Sequence, residues 1–73
     1  MSRLRVSGRQ IVRALQKAGF FVIRVKGSYH FMRHPDGRGT VVPVHARETI
    51  GPGLLSRILK DAEIDTGQIQ DLL

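Results

Sequence analysis

The chain has 73 residues, a formal net charge of +6 and no cysteine. A chain of this length forms one small domain whose core gives only roughly 3–5 kcal/mol of stability, so we predict a single domain over residues 1–73. Without cysteine there is no disulfide, no thiolate nucleophile and no cysteine-ligated metal site. No apolar run follows the basic N-terminal segment 1–6, and no segment has membrane-spanning length. This favours a soluble cytoplasmic protein that does not enter a membrane.

The charge is divided unevenly along the chain. Residues 1–47 contain ten Lys or Arg residues and one acid, whereas residues 48–73 contain two basic and five acidic residues. Nine of the twelve basic residues are arginine, whose planar guanidinium suits bidentate contacts with phosphate. The basic part therefore predicts a polyanionic partner. Because only one Tyr and three Phe are present, contacts with a nucleic-acid backbone should outweigh base stacking.

Residues 7–19 have the features of an amphipathic helix. Ser7 is a typical N-cap with Gln10 as its capping-box partner, and Gly19 marks the end of the helix. The apolar stripe consists of Ile11, Val12, Leu15 and Ala18, and the basic face consists of Arg9, Arg13 and Lys17. This basic face is either an ordinary solvated surface or a contact with the polyanion.

Three strands are predicted next, as an antiparallel meander. They cover residues 20–26, 29–34 and 40–44, and turn sequences at 27–28 and 35–39 separate them. Pro43 cannot donate to a strand ladder, so the third strand should lie at an edge of the sheet.

The two-residue period of a strand divides its side chains between two faces. On the first strand we predict that Phe21, Ile23 and Val25 point into the core. On the second strand Phe31 is the predicted core residue, because it is large and wholly apolar. The residues predicted on the open face of the sheet are then Arg24, Lys26, His30, Met32 and His34. A shift of one residue would reverse this assignment.

The rest of the chain is predicted to be helical after a loop over residues 45–50. Pro52 suits the first position of a second helix. Its predicted apolar face consists of Leu54, Leu55, Ile58, Leu59 and Ala62. Asp65 and Gln68 predict a cap for a short last helix. The predicted fold is a small α+β sandwich of a helix, a three-stranded antiparallel sheet and a helix, with both main helices on one face.

His30, just after the Gly27-Ser28 turn, is the candidate catalytic residue. An imidazole has an ordinary pKa of about 6.5 and can act as a general base near neutral pH. With nearby cations it provides what metal-free RNA cleavage needs: a base for the 2′-hydroxyl group and positive charge for the phosphate. The alternative is that His30 only forms a hydrogen bond near the turn.

Other chemistry is less well supported by the sequence. Three histidines suggest a metal site, but zinc usually takes three or four protein ligands, and Asp36 is better explained by its turn, so we predict no metal. We interpret His34 and His45 as turn or surface histidines. Ser28 is a weak candidate nucleophile, because we find no acid that would orient a histidine beside it. An exposed Met32 would indicate a partner surface.

Seven segments together, in their order and spacing, resemble the HicA family, also called YcfA-like proteins. These proteins are the toxin halves of bacterial and archaeal toxin–antitoxin pairs. The segments are residues 8–15, 18–20, 26–30, 34–38, 42–45, 50–55 and 58–62. The resemblance implies a fold like a double-stranded-RNA-binding domain. It also implies a metal-independent endoribonuclease without a cofactor that degrades mRNA, and a HicB-type antitoxin as partner.

The Gly-Ser-x-His motif of that family falls on Gly27, Ser28 and His30, which implies that His30 is catalytic. Two positions depart from the family pattern. Tyr29 stands where His or Asn is frequent, and Glu63 stands where Gly is common, a change that we interpret as affecting only the turn.

Our hypothesis is that His30 takes the proton of a ribose 2′-hydroxyl group, which attacks the phosphodiester and leaves a 2′,3′-cyclic phosphate. The predicted RNA-binding residues are Arg24, Lys26, Gly27, Ser28 and Arg33. Two alternatives remain. One is a non-catalytic RNA-binding module of the same fold, and the other is a protein-interaction domain whose basic face meets an acidic partner.

Overall fold

The computed structural model of the protein describes residues 5–73, which form helices around one antiparallel sheet. In chain order the elements are α1 (Gly8–Lys17), β1 (Phe21–Lys26), β2 (Tyr29–Arg33), β3 (Gly39–Pro43), α2 (Pro52–Ala62) and α3 (Thr66–Leu72). The predicted α+β order is confirmed, including the short last helix. Residues 1–4, which belong to the N-terminal segment and to the predicted domain, lie outside the described part. Within residues 5–73 no helix is long and apolar enough to cross a membrane.

Helix α1 begins at the predicted cap. The Ser7 hydroxyl accepts a 3.2 Å hydrogen bond from the Gln10 backbone N–H, and the Gln10 side-chain oxygen accepts a 2.9 Å bond from the Ser7 N–H. The helix ends at Lys17, and Gly19 follows in the left-handed region with φ of +99°. Ile11 and Leu15 are fully buried, as predicted.

The strand order is β1-β2-β3, so β2 is central and β3 lies at an edge, as Pro43 predicts. Each residue of β2 has a partner on either side. The partners of His30 are Val25 and Val42, and those of Phe31 are Arg24 and Val41. Directly paired residues point to the same face, whereas successive residues of one strand point to opposite faces. His30 and Phe31, each with its partners, therefore belong to opposite faces of the sheet.

The face of β2 predicted from the sequence is wrong. Met32 is only 2% exposed and packs in the core with Val42, so the side of β2 that carries His30 and Met32 faces the helices. Phe31 lies half buried on the open face, where the Arg24 guanidinium carbon is 5.9 Å from its ring centroid. The flexible methionine fills the core position, and the cation covers part of the aromatic ring.

A β-bulge in β1 accounts for a second wrong prediction. The pairing with β2 shifts between Val22 and Arg24, which leaves Ile23 as an extra residue. The simple alternation that places Phe21, Ile23 and Val25 in the core is therefore broken, and all three are about half exposed. Val22 packs against the core instead.

Helix α2 covers the sheet beside β3. Pro52 is its first residue, as predicted. Its buried residues are Leu55, Ile58, Leu59 and Ala62, whereas Leu54, predicted on the same face, is 38% exposed. The helix is capped by Glu63 in the left-handed conformation, with φ 55° and ψ 44°. This left-handed backbone explains why glycine suits the position. Glu63 in place of glycine lies in a turn, as interpreted from the sequence.

Helix α3 packs on α1 and completes the core with the fully buried Ile69. Its predicted capping box is present: the Asp65 carboxylate accepts from the Gln68 N–H at 2.8 Å, and the Gln68 side chain accepts from the Asp65 N–H at 3.0 Å. Lys17 Nζ donates a 3.1 Å hydrogen bond to the Leu72 carbonyl oxygen. One cation of the basic face of α1 is therefore engaged within the fold.

Candidate functional site

The turn between β1 and β2 consists of Gly27 and Ser28. Gly27 has φ of +59°, and a β-carbon built there would meet no atom within 4 Å, so backbone conformation rather than space requires glycine. The Ser28 carbonyl oxygen accepts a 2.7 Å hydrogen bond from the Val44 N–H, just after β3. The turn is therefore fixed to the end of β3, and His30 follows two residues later.

His30 is half buried on the helix-facing side of β2. Its Nδ1 lies 3.4 Å from the Ser28 carbonyl oxygen, and since a carbonyl can only accept, this contact favours the tautomer with the hydrogen on Nδ1. Nε2 then keeps its lone pair. Nε2 has no hydrogen-bond partner within residues 5–73, and the residue as a whole is partly exposed. His30 is thus equipped to accept a proton.

Three segments meet near this turn: the start of α1, the end of β3 and the turn itself. A β-carbon on Gly8 would clash with the Pro43 carbonyl oxygen and lie 3.0 Å from the Val44 Cα. Glycine is required there by this close approach, a role that the sequence analysis did not assign. Arg9 follows directly and is exposed. The first turn of α1 therefore brings a cation to the end of the sheet that carries Ser28.

The predicted RNA-binding residues are divided between the two faces of the sheet. Gly27 and Ser28 form the turn beside His30. The cations Arg24, Lys26 and Arg33 pair in the register with open-face residues. The prediction that His30 shares a face with Arg24 and Lys26 is therefore wrong. The exposed cations on the helical side, where His30 lies, include Arg9 and Arg13 of α1.

His45 lies on the other side of Ser28. Its Nε2 is 3.4 Å from the Ser28 hydroxyl oxygen, and its Nδ1 is 4.0 Å from the Glu48 carboxylate. The side chain of His45 is 51% exposed. No acid for a histidine beside Ser28 was predicted from the sequence, and in the structure the acid nearest to His45 in this group is Glu48. Extending the β2–β3 register by one pair beyond Tyr29 and Pro43 places Ser28 opposite Val44, and His45 is the next residue along the chain.

His34 has a structural role near the other end of β2. Its ring packs edge-on against Phe20 with 5.1 Å between the centroids, and its Nδ1 accepts a 3.1 Å hydrogen bond from the Asp36 N–H. A β-carbon on Gly19 would lie 2.8 Å from the His34 Nε2, so the ring also fills the space beside the end of α1. The interpretation of His34 as a turn histidine agrees with these contacts.

Asp36 and Arg38 close the β2–β3 turn. The Asp36 carboxylate accepts hydrogen bonds from the Arg38 backbone N–H at 3.0 Å and from Arg38 Nε at 2.8 Å. The backbone bond first, and then the side-chain bond and charge of Arg38, hold the pKa of Asp36 below its ordinary value of 3.8. Arg38 Nη1 also donates a 2.8 Å bond to the Ala62 carbonyl oxygen, and the guanidinium lies 5.1 Å from the Phe20 ring centroid. We call Phe20, His34, Asp36, Arg38 and Ala62 the clasp.

The histidines do not converge on one point. Within residues 5–73 no group of three or more His, Asp or Glu side chains is close enough to hold a metal ion. His34 belongs to the clasp, whereas His30 and His45 flank Ser28. The arrangement at the turn therefore provides two imidazoles and a hydroxyl group, which are groups suited to proton transfer.

A shallow groove leads away from His45 along the open edge of β3. Its lining includes Tyr29 and Phe31 of the open face and Leu54 and Arg57 of α2. The groove reaches His45 and Glu48, whereas His30 lies outside it. The groove therefore begins at one of the two imidazoles that contact Ser28, and the other lies beside it on the helix-facing side of β2.

Comparison with protein families gives a match over residues 8–64 to a family described as the HicA toxin of bacterial toxin-antitoxin. The matched region runs from α1 through α2 and contains His30, Ser28 and His45. Comparison with curated proteins gives no match.

Proposed function

Because the chain belongs to the HicA toxin family of bacterial toxin–antitoxin systems, we propose that it is an endoribonuclease that cleaves mRNA with His30 as general base. The antitoxin that pairs with it is, in this proposal, a HicB-type protein, and the reaction takes place in the cytoplasm without a metal ion. The observation that carries the proposal is the position of the partly exposed His30 beside the Gly27-Ser28 turn, with Nδ1 3.4 Å from the Ser28 carbonyl oxygen and Nε2 without a partner within residues 5–73.

The proposed reaction is a transesterification. Nε2 of His30 takes the proton of a ribose 2′-hydroxyl group, and the 2′-oxygen forms a bond to the adjacent phosphorus atom. The bond from phosphorus to the 5′-oxygen breaks and that oxygen takes up a proton, which leaves a 2′,3′-cyclic phosphate on one product and a 5′-hydroxyl group on the other. The Ser28 carbonyl oxygen lies 3.4 Å from Nδ1 and orients the ring.

The cations have two roles in the proposal. Arg9 and Arg13 are exposed on α1, which belongs to the helical side of the sheet, and in the proposal they bind the RNA backbone. Gly27 and Ser28 position the turn. Arg24, Lys26 and Arg33 lie on the open face and contribute to the long-range positive field that attracts RNA.

The test is incubation of the purified protein with labelled RNA in EDTA, followed by analysis of the product ends. The wild type should produce 2′,3′-cyclic phosphate ends. His30→Ala should lower the cleavage rate by about 10²–10⁴-fold, the usual contribution of a general base. His30→Asn is the matched variant, because its amide can still donate to the Ser28 carbonyl group but cannot take the proton. Both variants should keep the fold by circular dichroism.

Two other outcomes identify the alternatives. RNA that is bound but stays intact would indicate a non-catalytic RNA-binding module of the same fold. RNA that is neither bound nor cut would indicate a protein-interaction domain with an acidic partner. Cleavage by folded His30→Ala at the wild-type rate would reject His30 as the base.

A further inference from the structure

We propose that His45 is a second catalytic residue, the general acid that protonates the leaving 5′-oxygen. This proposal rests on the endoribonuclease function proposed above and adds a role that the sequence analysis did not give to His45. The observation behind it is that one residue, Ser28, contacts two imidazoles: His30 at its carbonyl oxygen and His45 at its hydroxyl group, each at 3.4 Å.

The chemistry requires two proton transfers on opposite sides of phosphorus. In an in-line displacement the entering 2′-oxygen loses a proton while the departing 5′-oxygen gains one, so a base and an acid must flank the phosphate. His30 Nε2 accepts the first proton, and the N–H at His45 Nε2 supplies the second. One P–O bond forms and one breaks, and exchange of one proton at each histidine with water restores both groups. No other reactant is needed.

The surroundings of His45 fit the donor role. Its Nδ1 lies 4.0 Å from the Glu48 carboxylate and its Nε2 lies 3.4 Å from the Ser28 hydroxyl oxygen, so the ring has a polar neighbour at each nitrogen. His45 also lies at the start of the groove along β3, which offers space for the departing part of the RNA. Glu48 is in this scheme a positioning residue that acts through His45.

The same three side chains resemble a serine–histidine–acid arrangement, but two observations favour the acid role. The 3.4 Å between the Ser28 hydroxyl oxygen and His45 Nε2 exceeds the 2.6–3.2 Å expected between a nucleophile and its base, and Glu48 lies 4.0 Å from His45. RNA also brings its own nucleophile, the 2′-hydroxyl group, so attack by Ser28 is not required. A covalent RNA adduct on Ser28, detected by mass spectrometry and lost in Ser28→Ala, would overturn the proposal.

The decisive experiment compares two leaving groups. Single-turnover rates are measured on an RNA oligonucleotide and on the same oligonucleotide with sulfur in place of the 5′-bridging oxygen at the linkage that the wild type cuts. A thiolate departs without a proton donor. We expect His45→Ala to cut the normal linkage about 10²–10⁴-fold more slowly than the wild type and the sulfur linkage at close to the wild-type rate. His30→Ala should be slow on both.

Two further variants complete the comparison. Glu48→Gln should slow cleavage of the normal linkage less than His45→Ala does. It should cut the sulfur linkage at close to the wild-type rate, since Glu48 acts through His45. Asp71→Asn, which changes an exposed carboxylate on α3, is the matched control and should behave like the wild type.

The results separate the failure of this proposal from that of the proposed function. Equal losses for His45→Ala on both linkages, or no loss on the normal one, would overturn the acid role while leaving the ribonuclease function in place. A wild type that cuts neither linkage would overturn the ribonuclease function, and the acid role with it. Because the His45 side chain is half exposed, we expect His45→Ala to fold, and a thermal melt checks this.

Discussion

The carbonyl oxygen of Ser28 and the backbone N–H of Val44 are joined by a hydrogen bond of 2.7 Å. This bond connects the turn that precedes His30 to the residue that precedes His45. The positions of the two imidazoles therefore depend on the same stretch of backbone, and a change in the turn should disturb both.

We expect Gly27→Ala to lower both stability and cleavage. A β-carbon costs roughly 1–2 kcal/mol in the left-handed region, although it would contact nothing within 4 Å. Because the turn can relieve this strain by rotating, Ser28 moves relative to both histidines, and the cleavage rate should fall more than the folded fraction does. Urea denaturation and single-turnover cleavage measure the two effects.

The control for that substitution is Gly27→Asn. Asparagine tolerates the left-handed conformation better than alanine, so it should keep most of the stability and the activity. Equal losses with Ala and Asn would show that something other than backbone conformation requires glycine at this position.

The two sets of cations should differ in their contribution to RNA binding. The dependence of log affinity on log salt has a slope of roughly −0.7 per phosphate contact on single strands. Replacement of Arg9 and Arg13 together by Gln should make that slope shallower by the equivalent of about two phosphate contacts. It should also slow cleavage, because both lie on the helical side of the sheet, as His30 does. Replacement of Arg24 and Arg33 should change the slope less. A salt titration of RNA binding measures the slope for each double variant. A larger change for the Arg24 and Arg33 variant would place the RNA on the open face.

Much of the fold could be predicted from the sequence because it depends on residues close together in the chain. The cap of α1 requires only Ser7 and Gln10, and the edge position of β3 follows from Pro43. The faces of the strands could not be predicted in the same way. The bulge at Ile23 resets the alternation, and the choice of Met32 over Phe31 for the core depends on which side the helices cover.

The site shows the same division between local and long-range information. The Gly27-Ser28 turn and His30 could be identified from consecutive residues. Their surroundings depend on long-range packing, since His45 reaches Ser28 across the hairpin and Gly8 brings α1 against the end of β3. His34, which packs in the clasp, and His45, which has a proposed chemical role, could not be told apart by their neighbours in sequence.

Asp36 should make stability depend on pH in acid. Its pKa in the folded protein lies below the ordinary value of 3.8, so its contribution is present above pH 3.8 and is lost as the pH falls through the folded-state pKa. Asp36→Asn should therefore lower the free energy of unfolding near neutral pH, and the difference from wild type should shrink below pH 3.8. Urea denaturation at several pH values measures this difference. Asp71 has no ion-pair partner within residues 5–73, so the free energy of unfolding of Asp71→Asn should differ little from that of the wild type at any pH.

Glu63→Gly should stabilise the protein. Glu63 adopts φ of 55° at the end of α2, where a side chain costs roughly 1 kcal/mol relative to glycine. The free energy of unfolding should rise by about that amount. Glu63→Gln removes the charge but keeps the β-carbon, so it should give no comparable gain. A similar gain with Gln would attribute the effect to charge rather than to backbone strain.

His30 lies on β2 and His34 directly follows that strand, four positions further on, a distance of about 13 Å along an extended chain. One has a proposed role in proton transfer, and the other packs in the clasp, while His45 completes the set of three histidines in the chain. The imidazole ring protons therefore give three resolved NMR probes in one unmodified sample. Two of them respond to what binds at the turn, and the third reports whether the opposite end of the sheet stays folded.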